Sequence, residues 1–331
     1  MPDLLSALDC ADYFSLLELK MYKCDLRKAY IMHVKTRKLA LIEGITAGIL
    51  FGTSAIFIRY LQNLDAFSIA FWRLIIACVV LAVLLFGLRK VFSFSLVRKN
   101  LGNLLVLSLF LGLHFIFFIS AVKDTTILNA TVLVNTAPIF SLVFSFFLYK
   151  AKPSSFAVLG ITLAFIGVCI IAYAESQTAR ASLNGFSPRL KGDLEATLAA
   201  LLEASFLTYG RKIRVGMDII SIMLPIYFLT AIIVGILGLA ATNRILELPT
   251  TMESLLLLIG LGVLPTAVAR TLAFSSLSHL KSFETATMAL MEPLGATALG
   301  IVLFCEWPIP IFAAGTALIL AGIVFVSRGE S

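Results

Sequence analysis

Ten stretches of about 20 apolar residues divide this chain, at roughly 39–61, 66–88, 101–121, 126–148, 155–174, 193–211, 218–241, 254–276, 283–304 and 309–327. A helical run of that length crosses the hydrocarbon core of a bilayer. In lipid the backbone satisfies its N–H and C=O groups only as a helix or a closed barrel, so runs of this length leave helices as the reading. With 60% hydrophobic and 14% charged residues and a mean hydropathy of +1.01, a soluble domain is excluded. The chain therefore reads as an all-α integral membrane protein with ten transmembrane helices.

Those helices come in two sets of five. Asn129 to Ser176 returns 155 residues later as Glu284 to Ser331 without a gap: Pro138 falls on Pro293, Pro153 on Pro308, Gly160 on Gly315, and Gly167 on Gly322. Each copy is an apolar helix with a central proline, a turn opened by a second proline, and a helix with two glycines seven apart. The match weakens toward the start of each half, where Glu195 answers Glu43 and Arg211 answers Arg59 at an offset of 152.

The net charge of +7 is informative through its placement. Of the 26 Lys and Arg, 18 lie in the amino-terminal segment, every second loop and the C-terminus, against five in the other loops and three in helices. The positive-inside rule puts both termini in the cytoplasm. An odd number of helices per repeat then inverts one half relative to the other, giving two inverted five-helix repeats, as in many secondary transporters. The expected divisions are a cytoplasmic tail (1–38), a first repeat (39–174), a linker (175–192) carrying Asn184, Gly185, Ser187 and Pro188, a second repeat (193–327) and a cytoplasmic C-terminus (328–331). No run in the tail is long enough for a signal peptide, and Met32 reads as an alternative start.

Several local patterns go further. Gly44, Gly48 and Gly52 form one column on the first helix, where another helix can approach closely. Ala70-Phe71-Trp72-Arg73 opens the second helix, an Asn- and Ala-rich entry leads to Pro138, and Cys305-Glu306-Trp307-Pro308 precedes the last helix. Together these resemble the EamA-like branch of the drug/metabolite transporter superfamily over residues 39–327. The resemblance implies a ten-helix carrier of two inverted repeats that moves amino acids or other small metabolites through a central cavity. It also implies a packing and helix-end role for Arg73, which can reach the outer headgroups. The family's Glu near the end of the ninth helix fits Glu306, whereas the partner position is Ala151.

Ionisable groups at a helix centre cost roughly 2.5–3.5 kcal/mol on insertion scales, so each marks a candidate site. Glu203 and Glu292 sit near the middle of their helices, Arg270 lies inside the eighth, and His114 past the middle of the third. Glu292 adjoins Pro293, whose ring frees the carbonyl of Ala289 as an acceptor nearby. Its counterpart in the first repeat is Ala137, two residues after Asn135, so the cavity is expected to be asymmetric. Glu203, on one face with Ala199 and Phe206, suits proton coupling or an ion pair with Arg270. Arg270 pairs with a carboxylate, with carbonyls or with an anionic substrate. His114 is either a proton shuttle or a satisfied core residue among Phe115, Phe117 and Phe118. Trp72, Tyr209 and Tyr227 suit substrate stacking or helix packing equally. Pro138, Pro265 and Pro293 are hinge candidates.

No phosphate-cradling glycine loop, metal-ligand spacing or nucleophile with a His partner is present, so no metal, cofactor or catalytic residue is expected. The five cysteines are expected to be inert packing residues. The function expected is secondary transport of small organic metabolites, amino acids or related compounds, by alternating access with ion or exchange coupling. A nucleoside-like or S-adenosylmethionine-like substrate is the alternative. A membrane scaffold or membrane-embedded enzyme is the reading from another class. The partners expected are a small-molecule substrate and membrane lipid, without nucleic acid, with a homodimer left open, in the inner or plasma membrane.

Overall fold

The computed structural model describes residues 36–89, 92, 94–150, 152–179, 190–214, 218–242, 246–304 and 310–329. The tail to residue 35, Ala151, the 180–189 part of the linker, Cys305 to Pro308 and the last two residues lie outside them. The described residues form an all-helical fold: α1 (Arg37–Tyr60), α2 (Ala66–Gly87), the short α3 (Phe94–Lys99), α4 (Leu101–Asp124), α5 (Ile127–Val134), α6 (Ala137–Tyr149), α7 (Ser155–Ala179), α8 (Leu190–Arg214), α9 (Ile219–Thr242), α10 (Met252–Leu261), α11 (Thr271–Ser276), α12 (Ser282–Met288), α13 (Glu292–Phe304) and α14 (Ile311–Gly329). A wide π-helical stretch, Gly262–Arg270, joins α10 to α11, and a tight 3-10 turn, Ala289–Met291, joins α12 to α13. Since α7 continues to Ala179, the loop read at 175–192 is shorter than its sequence suggested.

Among the described residues eight helical segments are long and apolar enough to cross a membrane. The two other stretches marked in the sequence are the informative ones. The stretch at 193–211 is α8, whose first and last turns carry Asp193, Arg211, Lys212 and Arg214. The stretch at 283–304 is interrupted between α12 and α13 and carries two carboxylates, Glu284 and Glu292.

Helix starts follow from their caps. Asp65 accepts from the N–H groups of Phe67 and Ser68 at 2.8 and 3.0 Å, satisfying donors at the start of α2. Thr126 does the same for Asn129 at α5, and Thr251 for Ser254 at α10.

α4 is the buried axis, with Leu104, Leu107, Leu111, Phe115, Ile119 and Val122 inside the largest core cluster. Their three- and four-residue spacing is one helix face. That face meets α8 and α9, and α9 in turn packs on α2. Ala196, Ala199, Ala200 and Ala204 bury a small-residue surface on α8, which lets α4 come close. Phe86, Phe147 and Val302 stand on the exposed outer surface, as lipid requires.

The glycine column of α1 packs on the broken helix. A Cβ on Gly44 would lie 3.0 Å from Met288 Cγ, and one on Gly48 would lie 3.0 Å from Met291 Cβ. α7 and α14 pack against each other along their length. A Cβ on Gly160 would meet the Gly322 carbonyl oxygen at 2.6 Å, and one on Gly167 would meet that of Gly315 at 2.6 Å. As one residue number rises the other falls, so these two helices run antiparallel. These are the four glycines that the 155-residue offset matches.

Candidate functional site

Both halves interrupt a helix just before the matched proline. In the first, α5 ends at Val134 and α6 restarts at Ala137 with Pro138 in its first turn. In the second, α12 ends at Met288 and α13 starts at Glu292, ahead of Pro293. Proline at the first positions of a helix removes only an N–H that has no intrahelical partner. The expected free carbonyl of Ala289 is not free: it accepts the N–H of Glu292, the tight turn replacing the bond that Pro293 cannot make.

The third hinge candidate works differently. Pro265 cannot bond the carbonyl of Leu261, and the backbone widens into the π-helical stretch. The Thr266 hydroxyl donates to that carbonyl at 2.7 Å. The Thr266 hydroxyl oxygen in turn accepts from Arg73 Nε at 2.9 Å, and the Thr266 carbonyl accepts from Tyr227 Oη at 2.8 Å.

A cavity lies between these breaks. Asn135, Ala137 and Pro138 line it from the first repeat, and Ala286, Ala289 and Glu292 from the second. Arg73, His114, Glu203, Arg270 and the rings of Phe51, Phe115 and Phe118 complete the wall. All five expected binding or coupling residues, Asn135, His114, Glu203, Arg270 and Glu292, thus come together. Pro138 joins them; Pro265 does not. Pro293 lines a second cavity, and Glu292 lines both.

Arg270 and Glu203 form the ion pair that the sequence allowed, joining Nη1 to Oε1. Arg270 Nη2 lies 3.1 Å from His114 Nε2, and His114 Nδ1 lies 2.9 Å from the carbonyl oxygen of Ala199. A carbonyl only accepts, so Nδ1 carries the proton and Nε2 accepts from Arg270. The ring is a neutral bridge, stacked on Phe118 at 6.0 Å between centroids. Glu203 Oε2, 3.5 Å from Nε2, has no hydrogen-bond partner among the described residues. The rings of Phe51, Phe115 and Phe206 lie 4.9, 5.3 and 5.9 Å from the Arg270 guanidinium carbon, so its flat faces meet aromatic surface.

Arg73 corrects an expectation. It packs as expected, 4.0 Å over the Phe115 ring, but at only 2% exposed it does not reach the headgroups and instead lines the cavity. Its Nη1 is buried without a hydrogen-bond partner among the described residues, as is Nδ2 of Asn135. The aromatic candidates stand elsewhere: Trp72 bonds the Glu247 carbonyl, Tyr209 bonds Asn103, Tyr227 bonds Thr266, and none of the three lines the cavity.

On the α6 side the cavity gives way to a buried chain of hydroxyls. Ser141 lies 3.2 Å from Thr208, Thr208 lies 3.1 Å from Ser282, and Ser282 lies 2.8 Å from Ser145. Tyr149 adds a bond to the Thr208 carbonyl at 2.7 Å. This chain ties α6, α8 and α12 together one turn beyond Pro138. Nothing in the sequence singled it out.

Residues 38–173 and 190–328 each match the EamA-like transporter family. The chain belongs to that family. Among relatives of this EamA-like chain, an uncharacterized transporter of Archaeoglobus fulgidus is 26% identical over 90% of this chain and 99% of that one. An uncharacterized transporter of Bacillus subtilis (strain 168) is 26% identical over 86% of this chain and 91% of its own length. A solved crystal structure with 18% identity overlays with a TM-score of 0.73, covering 89% of this chain and 98% of its own, and so shares the fold. The two family matches fall on the two halves that the glycines and prolines define. This EamA-like protein is a multi-pass membrane protein, and its relatives are transporters by name.

Proposed function

We propose that this EamA-like protein is a secondary transporter of small organic metabolites, amino acids or related compounds, working by alternating access. The observation that carries the reading is the cavity at the paired helix breaks, because discontinuous helices in corresponding halves are where carriers bind substrate. On this reading ten helices form two inverted five-helix repeats that rock about the cavity. Helices α8 and α12–α13 complete the ten, and the antiparallel pairing of α7 with α14 supports the inversion. A helix as polar as α8 is tolerated because its charged groups sit in its end turns or on the cavity wall. Both termini are cytoplasmic by loop charge, in the inner or plasma membrane.

Coupling is by ion or exchange, with Glu292 and Glu203 as the groups able to carry a proton through the membrane. The test is uptake and counterflow in proteoliposomes, screened over amino acids, nucleosides and S-adenosyl compounds with and without a proton gradient. Saturable flux of one of these classes is expected, absent from protein-free vesicles. A C-terminal reporter active only outside the cytoplasm would overturn the topology, and flux no greater than in empty vesicles would overturn the carrier.

A further inference from the structure

The hydroxyl chain and the second cavity occupy matching places in the two repeats. Ser141, Thr208 and Ser282 join α6, α8 and α12 through contacts of 3.2 and 3.1 Å, and all three are fully buried. The 155-residue offset carries Ser141 to Ala296 and Ser282 to Ile127, and the 152-residue offset carries Thr208 to Ile56. α5 starts at Ile127 as α12 starts at Ser282, so the register holds to the first residue of each helix. The three counterparts, on α13, α5 and α1, are only half-buried, and all of them line the second cavity. One half has a joint where the other has a gap.

The gap belongs to one element. α1 and α13 stay in backbone contact, since a Cβ on Gly52 would collide with the amide nitrogen of Ala296 and the carbonyl oxygen of Glu292. α5 forms the facing wall with Ile127 and Thr131, four residues apart on one helix face. Away from that face it is tied to α8, where Asn129 Nδ2 donates to Asp193 Oδ1 at 3.2 Å. In the other half Ser282 ties α12 to both neighbours: it accepts from Thr208 and lies 2.8 Å from Ser145 on α6.

We propose that α12 and α5 are the two gates of this carrier in opposite states: α12 is shut on α6 and α8, α5 is open, and the second cavity is the space into which α5 closes. This rests on the carrier reading above, with the inner side set by loop charge, and names the moving parts that it leaves open. An inverted repeat supplies both states from one pattern, each half adopting in turn the arrangement of the other. Closing α5 brings Ile127 onto Ile56 as Ser282 now lies on Thr208, and releases α12. The two closures differ in chemistry. Directional hydroxyl bonds hold the inner gate, whereas Ile56, Ile127 and Ala296 close the outer one by removing apolar surface from water. Glu292 lines both cavities, so closure of α5 leaves it facing the central one alone.

The experiment uses the full chain, purified in detergent, in a background without the native cysteines. Ile56→Cys with Ile127→Cys should cross-link under mild oxidant, since the gate closes part of the time. Thr208→Val removes the hydroxyl that joins Ser141 to Ser282, and should speed that cross-link at least threefold; Ser141→Ala, which breaks one bond of the chain, should speed it less and carries this arm if Thr208→Val does not fold. In the reverse direction, Ala296→Phe fills the space that α5 needs. It should slow maleimide labelling of a lone Ser282→Cys at least threefold, with a melting temperature no lower than that of the parent. Thr131→Phe fills the same cavity from α5 and takes over if Ala296→Phe does not fold. An outer pair that fails to cross-link even with the inner chain broken overturns the proposal. So does an outer cross-link indifferent to Thr208 and Ser141, or Ser282→Cys labelling indifferent to the filled cavity. Both readouts are independent of flux: reciprocal gates in a protein that moves no solute uphold the proposal and remove the carrier, and flux with uncoupled gates does the reverse.

Discussion

Gly160 lies against the backbone of Gly322, and the two are not partners by sequence offset: Gly160 matches Gly315, and Gly167 matches Gly322. The contact between Gly160 and Gly322 is therefore carried by the repeat onto the contact between Gly315 and Gly167. This is the exchange that a local two-fold axis between α7 and α14 produces. The seam leaves no room for a methyl group.

Gly167→Ala and Gly160→Ala should accordingly destabilise the protein although alanine is the better helix former. The gain in propensity is about 1 kcal/mol. The clash with a facing backbone cannot be relieved by a rotamer change, and overpacking of this kind costs about 1–3 kcal/mol. Melting temperature in detergent should fall for each variant and fall further for the pair. An unchanged or higher value would show that the seam is looser than its geometry.

The two carboxylates should part company when each is changed to Gln. Glu203→Gln strands Arg270 as a buried charge, a loss of about 3–5 kcal/mol, and expression, stability and every mode of transport should fall together. Glu292 holds no ion pair among the described residues, so Glu292→Gln should fold normally. If it carries the coupling proton, gradient-driven accumulation should vanish while exchange persists. Melting temperature, exchange and accumulation measured on both variants decide this, and accumulation by Glu292→Gln equal to the parent would remove Glu292 from coupling.

Thr266 should behave as a hydroxyl requirement and not as a matter of shape. Thr266→Val leaves the Leu261 carbonyl and Arg73 Nε without their partner, a cost of about 1–3 kcal/mol for each buried group so orphaned. Thr266→Ser should restore most of the stability. Thermal unfolding of the two variants checks it, and equal loss in both would mean that the γ-methyl, not the oxygen, matters.

The hydroxyl chain should act as a latch. Ser145 and Ser282 Oγ lie 2.8 Å apart across α6 and α12. Cysteines at both positions, in a background without the native cysteines, should cross-link under mild oxidant, stop counterflow, and recover with reductant. Cross-linking that leaves flux intact would mean that α6 and α12 stay together through the cycle.

Much of this site was legible because lipid makes polar residues conspicuous. Asn135, His114, Glu203, Arg270 and Glu292 each stood out in apolar sequence, and they line one cavity. The resemblance places Arg73 at a helix end within reach of the headgroups, and its own sequence neighbours carry no sign of the cavity. Its surroundings are set by Thr266 and Phe115, on helices far away in sequence. The break at Ala289–Met291 was announced by Pro293, but not the tight turn that closes on Glu292. The Ser141, Ser145, Thr208 and Ser282 chain left no trace, since single hydroxyls are common in membrane helices and carry no period. The neutrality of His114 follows only from which atoms face its two nitrogens.

The balance of two arginines and two glutamates around the cavity also bears on electrical work. Moving one elementary charge across the bilayer changes the energy by about 2.3 kcal/mol for each 100 mV. Helices rocking about a site whose fixed charges cancel carry no current when empty, and none when loaded with a neutral solute. The resting potential then neither helps nor hinders the return of the empty carrier. A proton taken up by Glu292 in the loaded state alone would make that half of the cycle, and no other, voltage-sensitive.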